Sequence, residues 1–321
     1  MGKDLPWLQR VEAVVYRHLT PTAQICWPLL SRRCDCEVWV KHENHTPIGA
    51  FKVRGGLYYM ETLAQEWPDV SGVITATRGN HGQSIAFAAQ RYGLRATVVV
   101  PHSNNPEKNA AMQAYGAELL EHGHDFQAAY EHSQELAQQQ RLHWLPSFHP
   151  WLIEGVSTYA FELLRSVPDV HTVYVPVGQG SGICGVIKAR DALGLRTKIV
   201  GVVADNAAAY ALSFAKRAPV STDSADTIAD GVACRVPNEA ALAIIFKGAE
   251  RIVSVSEQAI LEAMGFYLSD THNLAEGAGA APLAALLQER ASMAGKRVAL
   301  VLSGGNLDRA LLRRVLEGGP S

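Results

Sequence analysis

The sequence predicts an α/β protein built on parallel sheet covered by helices, and three observations predict it. Short apolar runs alternate with amphipathic segments of helix length, glycines close those segments, and 321 residues suffice for two domains or one large α/β unit. In chain order, GVITAT precedes SIAFAAQRYG, ATVVVP precedes PEKNAAMQAYG, TVYVPVG precedes CGVIKARDALG, and KIVGVVAD follows. Helix ends are expected at Gly93, Gly116 and Gly194, because the left-handed position just past a helix favours glycine. Residues 216 to 240, rich in Ala, Asp, Ser and Thr, read as a loop. There is no repeat of fixed period and no low-complexity tract.

Charged residues make up 19% of the chain and the net charge is −2, with no run of Lys and Arg, so a nucleic-acid partner is excluded and a small-molecule partner expected. No run of 18 apolar residues occurs, and the N-terminal MGKDLPWLQRVEAVVYRHL lacks a signal-peptide core; these point to a cytoplasmic chain away from membranes. Cys26, Cys34, Cys36, Cys184 and Cys234 are odd in number and scattered, which argues for reduced thiols. Cys34 and Cys36, near His42 and His45, are spaced too tightly for a zinc knuckle, and no metal site is expected.

Ligands of open α/β sheets collect at the carboxyl ends of strands. TRGNHGQS (Thr77 to Ser84) follows ITA, GQGSG (Gly178 to Gly182) follows YVPV, and SGGN (Ser303 to Asn306) follows VALVL. A fourth stretch, GAFKVRGG (Gly49 to Gly56), holds Lys52 between Phe51 and valine-arginine, then two glycines. One rival reading stands on Gly180-x-Gly182-x-x-Gly185 after a strand, with Asp205 closing the next strand: this matches a dinucleotide fingerprint and an NAD-dependent oxidoreductase. The motif by itself says phosphate, because glycines let amides approach it and a helix N-terminus adds positive potential. The other loops decide. A nicotinamide gives no role to Phe51-Lys52, to Gly79-Asn80-His81 or to Ser303. Pyridoxal phosphate needs a lysine for its aldehyde, a glycine loop for its phosphate, and polar partners for its phenolic oxygen and ring nitrogen.

KHENHTPIGAFKVRGG, TRGNHGQSIAFAA, PVGQGSG, TIADGVA and LSGGN, in this order and spacing, resemble the fold type II pyridoxal phosphate enzymes, in the threonine dehydratase and serine racemase branch. The resemblance implies a large domain, 1–54 and 148–321, a small domain, 55–147, and the cofactor between them. It implies that Lys52 holds the cofactor as a Schiff base and then serves as acid and base, that Phe51 packs near the ring, and that Asn80 meets the phenolic oxygen. Gly178, Gln179, Gly180, Ser181 and Gly182 would cradle the phosphate, and Ser303 would face the ring nitrogen. Thr77, Arg78, Gly79, Asn80 and His81 would bind the substrate. A hydroxyl at the ring nitrogen protonates it less than a carboxylate does, which suits loss of a β-hydroxyl and release of a 2-oxo acid and ammonia. The resemblance also implies a homodimer.

Several departures qualify it. Arg78 stands where the family has a small residue and the racemases a serine base; a guanidinium is a poor base, so racemisation is disfavoured, and Arg78 suits a carboxylate or an aromatic ring instead. Thr77 replaces a serine. In VVADNAAAY, Ala204 stands where metal-activated relatives have a glutamate, and Asp205 is shifted by one, so no required metal is expected. Ala50 replaces the serine before Phe-Lys, and Gly277 the proline after Glu276. The chain end at Ser321 leaves no room for a regulatory domain, so control by isoleucine is not expected. The expected activity is a dehydratase of threonine, serine or a bulkier 3-hydroxy amino acid such as 3-phenylserine; β-replacement of the cysteine synthase type is the alternative.

Overall fold

The computed structural model describes residues 5–318; Met1–Asp4, within the stretch read above for a signal peptide, and Gly319–Ser321, at the chain end, lie outside the described residues. Two compact units emerge. One comprises Pro21–Phe51 and 157–318, the other Pro6–Thr20 and Lys52–Val156. Relative to the boundaries read from sequence, residues 6–20, 52–54 and 148–156 fall in the second unit. The reason is packing. The Pro6–Val15 helix buries Leu8, Val11, Val14 and Val15, and Arg17 just beyond it is bound to Glu61 at 2.8 Å.

The first unit carries a mixed six-stranded sheet in the order β1 (Gln24–Cys26), β2 (Glu37–His42), β10 (Arg297–Leu302), β7 (Thr172–Pro176), β8 (Lys198–Ala204), β9 (Arg251–Val255). Only β1 pairs antiparallel. β7, β8 and β10 are apolar almost throughout and bury nearly every residue, as strands covered on both faces do. The Gly277–Gln288 helix, ten of whose residues are buried, fills the core beside them. The second unit carries a parallel sheet in the order β5 (Glu118–Glu121), β4 (Arg95–Val100), β3 (Gly72–Ala76), β6 (His143–Trp144).

The helix-closing glycines take the conformation expected of them: Gly93, Gly116 and Gly194 have φ of +68°, +86° and +66°. The segment expected as a loop runs from the end of the Ala209–Lys216 helix to the start of Glu239–Gly248, interrupted by one 3-10 turn at Asp230–Val232. All five cysteines are free, and burial pushes Cys34 up to about 12 and Cys36 to about 11. Among the described residues no helix is long and apolar enough to cross a membrane.

Strand order positions the chemistry. β2, β10 and β7 are adjacent and parallel, so their carboxyl ends open on one edge of the first unit's sheet. From those ends run the segment to Phe51, Ser303 and the 178–182 loop. In the second unit the carboxyl end of β3 delivers Thr77 to His81 to the start of the Asn80–Arg91 helix.

Candidate active site

In the first unit, the strap 46–51 is stitched to the turn after β10. Phe51 N–H donates to the Ser303 carbonyl at 3.0 Å, Gly305 N–H to Gly49 O at 2.9 Å, and Asn306 Nδ2 to Ile48 O at 2.8 Å. The Thr46 hydroxyl donates to Ala50 O (2.8 Å) and accepts from Ala50 N–H (2.9 Å). Gly49 sits at φ +67°, and a Cβ there would come within 2.6 Å of Asn306 Oδ1. The Phe51 ring meets Tyr159 edge-on, centroids 6.1 Å apart, and Tyr159 donates to Gly182 O at 3.2 Å. Phe51 is thereby fixed against the glycine loop.

That loop has the geometry of an anion cradle. It enters the twelve-residue helix Ser181–Ala192, whose first internal bond runs from Cys184 N–H to Gly180 O. The N–H groups of Gly178 to Ile183 have no hydrogen-bond partner among the described residues, and the Ser181 hydroxyl, 5% exposed, has none either. Unclaimed N–H groups at a helix start suit a phosphate dianion. The glycines are demanded by space. A Cβ on Gly178 would lie 2.2 Å from Gly231 O, and Gly180 holds φ +97°. Tyr210 sets the loop from behind, donating to Gln179 O and accepting from Asn238 N–H, both at 3.0 Å. Ser303 is 3% exposed, and its hydroxyl also has no partner among the described residues. Beside it Glu276 is buried, its Oε1 where a Cβ on Gly304 would stand.

In the second unit, Lys52 opens the Lys52–Glu66 helix and is half-buried. The two glycines that follow lie inside that helix and serve close approach: a Cβ on Gly55 would meet Leu152 O at 2.8 Å, and one on Gly56 Ser84 Oγ at 2.3 Å. Ser84 in turn donates to the Lys52 carbonyl at 2.6 Å. Thr77 is buried and accepts from Gly79 N–H at 3.1 Å, which leaves its hydroxyl proton available. Asn80 is half-buried at the first position of its helix. His81 is 7% exposed, and its Nε2 has no hydrogen-bond partner among the described residues. Burial, then the neighbouring Lys52 charge, lowers it to about 3, so the imidazole is neutral. Leaving such a nitrogen unpaired costs about 1–3 kcal/mol, which marks the position as built for a ligand or a moving partner. Arg78 is exposed and has no partner among the described residues. The Lys108 stem crosses the same loop, 3.2 Å from where a Gly79 Cβ would stand.

Thr46, Tyr159, Tyr210, Glu276, Asn306 and Lys108 escaped the sequence reading. Thr46 and Asn306 stand inside quoted motifs and Glu276 beside Gly277, but nothing in sequence shows what they touch; the others act across long chain separations.

These groups fit pyridoxal phosphate: a lysine, an unclaimed amide nest with a hydroxyl, and a second buried hydroxyl at a strand end. Comparison with known proteins agrees. Residues 15–304 match the family described as pyridoxal-phosphate dependent enzyme. The L-threonine ammonia-lyase of Thermotoga maritima is 33% identical over 319 residues, covering 99% of this chain and 78% of that one. The L-threonine ammonia-lyase of Geobacter sulfurreducens is 36% identical over 291 residues, 90% of this chain and 72% of that one. The processed form of threonine deaminase isoform 2 from Solanum lycopersicum superposes with a TM-score of 0.90 at 30% identity, covering 99% of this chain and 94% of that one. The dinucleotide reading of Gly180, Gly182 and Gly185 gives way, and the chain belongs to the pyridoxal-phosphate dependent enzymes, in the threonine dehydratase and serine racemase branch of fold type II.

Proposed function

We propose that this enzyme is a dehydratase, an ammonia-lyase, which converts a β-hydroxy-α-amino acid of the threonine or serine type to a 2-oxo acid and ammonia, and that its range extends to larger 3-hydroxy amino acids such as 3-phenylserine. The observation that carries the reading is buried Ser303 at the end of β10, whose hydroxyl has no partner among the described residues, in a chain similar to threonine ammonia-lyases.

Pyridoxal phosphate, when bound, supplies the electron sink that acidifies the substrate Cα–H. The N–H groups of Gly178 to Gly182, with Ser181, would bind its phosphate; Lys52 would hold its aldehyde carbon; Asn80 would donate to its phenolic oxygen; Phe51 would wall the ring. Ser303, an alcohol, leaves the ring nitrogen less charged than a carboxylate would, which favours loss of a β-substituent over transamination. The Thr77 hydroxyl and the backbone of Gly79, Asn80 and His81 would orient the substrate carboxylate. The Lys52 amine takes the Cα proton at Nζ and returns one to the departing hydroxyl, so that water leaves and hydrolysis restores it, releasing ammonia. Arg78 has no free base to offer the opposite face, which argues against racemisation. Its reach is better suited to a substrate side chain. A homodimer goes with this reading, and sedimentation velocity checks it.

The test is a panel of threonine, serine and 3-phenylserine with purified holoenzyme. Equal yields of 2-oxo acid and ammonia are expected. Formation of a thioether amino acid on adding a thiol, without 2-oxo acid, would instead establish β-replacement.

A further inference from the structure

His81 and Ser84 stand three residues apart on the Asn80–Arg91 helix and therefore on one face of it. Ser84 touches the Lys52 carbonyl at 2.6 Å, and Gly56, one turn into the lysine's helix, admits Ser84 Oγ at a distance no side chain would allow. Helical side chains lean toward the N-terminus, so the imidazole lies on the N-terminal side of that crossing, within reach of the Lys52 charge. The residue is over nine-tenths buried, and Nε2 has no hydrogen-bond partner among the described residues. Lys52 is the one charged group acting on it among the described residues, and the imidazole stays neutral there. A neutral imidazole nitrogen beside an amine that gains a proton during turnover has one evident use.

We propose that His81 is a positioning residue for Lys52, its Nε2 accepting a hydrogen bond from the lysine ammonium in the part of the cycle when Nζ carries the proton. This rests on the proton-transfer role of Lys52 proposed above, and it assigns the His81 imidazole to the lysine, leaving the His81 backbone to the substrate carboxylate. The hydrogen bond aims Nζ, and it stabilises the ammonium by enough to keep the proton until the hydroxyl departs.

The experiment measures the lysine amine in cofactor-free protein. Competitive labelling with acetic anhydride across pH, quantified at Lys52 by mass spectrometry, gives the midpoint for its deprotonation. His81→Phe is expected to lower that midpoint by about one pH unit, a tenfold change in the equilibrium; His81→Gln, which keeps an acceptor, is expected to restore most of it. An unchanged midpoint in His81→Phe, or an equal shift in both variants, overturns the proposal. Should His81→Phe not fold, imidazole ¹⁵N shifts of the unaltered protein decide: a proton on Nδ1 and a bare Nε2 are expected at pH 7, and a proton on Nε2 overturns it. Neither readout depends on turnover. Failure of every β-hydroxy amino acid to yield 2-oxo acid would refute the proposed function and leave these measurements intact.

Discussion

Replacing Gly178 with alanine tests the cradle directly. The new Cβ would stand 2.2 Å from Gly231 O, more than an ångström inside ordinary contact. That oxygen belongs to a 3-10 turn closed by Val232 N–H to Ala229 O at 2.8 Å, and Gly231 itself abuts Ala278, so the neighbour is backbone with little room. Relief requires moving residue 178 and the N–H groups it carries. Overpacking of this kind costs about 1–3 kcal/mol. Since those amides would hold the phosphate, much of that cost should appear as a roughly 5- to 150-fold rise in the cofactor Kd. Gly182→Ala is the internal control. Its Cβ would find nothing nearer than Phe51 Cζ at 3.6 Å, an ordinary contact, and its φ is not left-handed. A change of about threefold or less is expected there. Titration of cofactor-free protein with pyridoxal phosphate, followed by absorbance, gives both constants. If Gly182→Ala weakens binding as much as Gly178→Ala, the glycines are not there for space and the reasoning fails.

Lys52→Ala should abolish 2-oxo acid production, and borohydride should fix no pyridoxyl group at position 52; turnover by this variant would remove the lysine from the mechanism. Lys41→Met should destabilise the fold by about 3–5 kcal/mol, because Lys41 Nζ serves Glu162 at 2.5 Å and Thr22 O at 2.7 Å, and its loss strands a buried carboxylate; urea unfolding measures this. His42 is held neutral, chiefly by burial, at about 4, and its Nε2 accepts from Trp27 Nε1 at 3.0 Å. Between pH 6.5 and 4 the unfolded chain binds the extra proton, so stability should fall with falling pH by on the order of 3 kcal/mol, a slope that His42→Gln should flatten. Arg78→Ala should raise the KM for a larger or more polar substrate at least several-fold while leaving that for serine within about threefold, an order-of-magnitude expectation for a single side-chain contact; equal effects on all substrates would place the guanidinium elsewhere.

The periodic part of the fold was legible because burial writes itself into sequence. Apolar runs at β3, β4, β7, β8 and β10 are buried nearly throughout, and the helix-closing glycines report φ directly. The loops at their ends were legible for a related reason: only glycine survives where backbone must approach backbone, as at Gly178. Less was visible where a residue's task is set by a distant one. Tyr210 looks like any buried tyrosine until its hydroxyl is found between Gln179 O and Asn238 N–H. The Pro6–Val15 helix has an amphipathic pattern, but nothing in it names the second unit as its partner. Gly55 and Gly56 stand out in sequence without showing their task, which is to let two neighbours close on the helix that Lys52 opens.

That contrast bears on how the site works. An amide nest is useful to a dianion only if its N–H groups are held apart from other acceptors before the ligand arrives, since reorganising them afterwards would consume the binding energy. Here the holding is done by groups behind the loop: Tyr210 on the Gln179 carbonyl, Tyr159 on the Gly182 carbonyl, and Gly231 against Gly178. Each fixes a carbonyl or fills the space behind the loop, and so turns the amides the other way. Tyr210→Phe removes one such constraint without adding bulk. It should weaken cofactor binding by about three- to tenfold, the worth of one hydrogen bond, with unfolding stability reduced by no more than a comparable amount. An unaltered cofactor Kd in that variant would mean the glycines alone shape the nest.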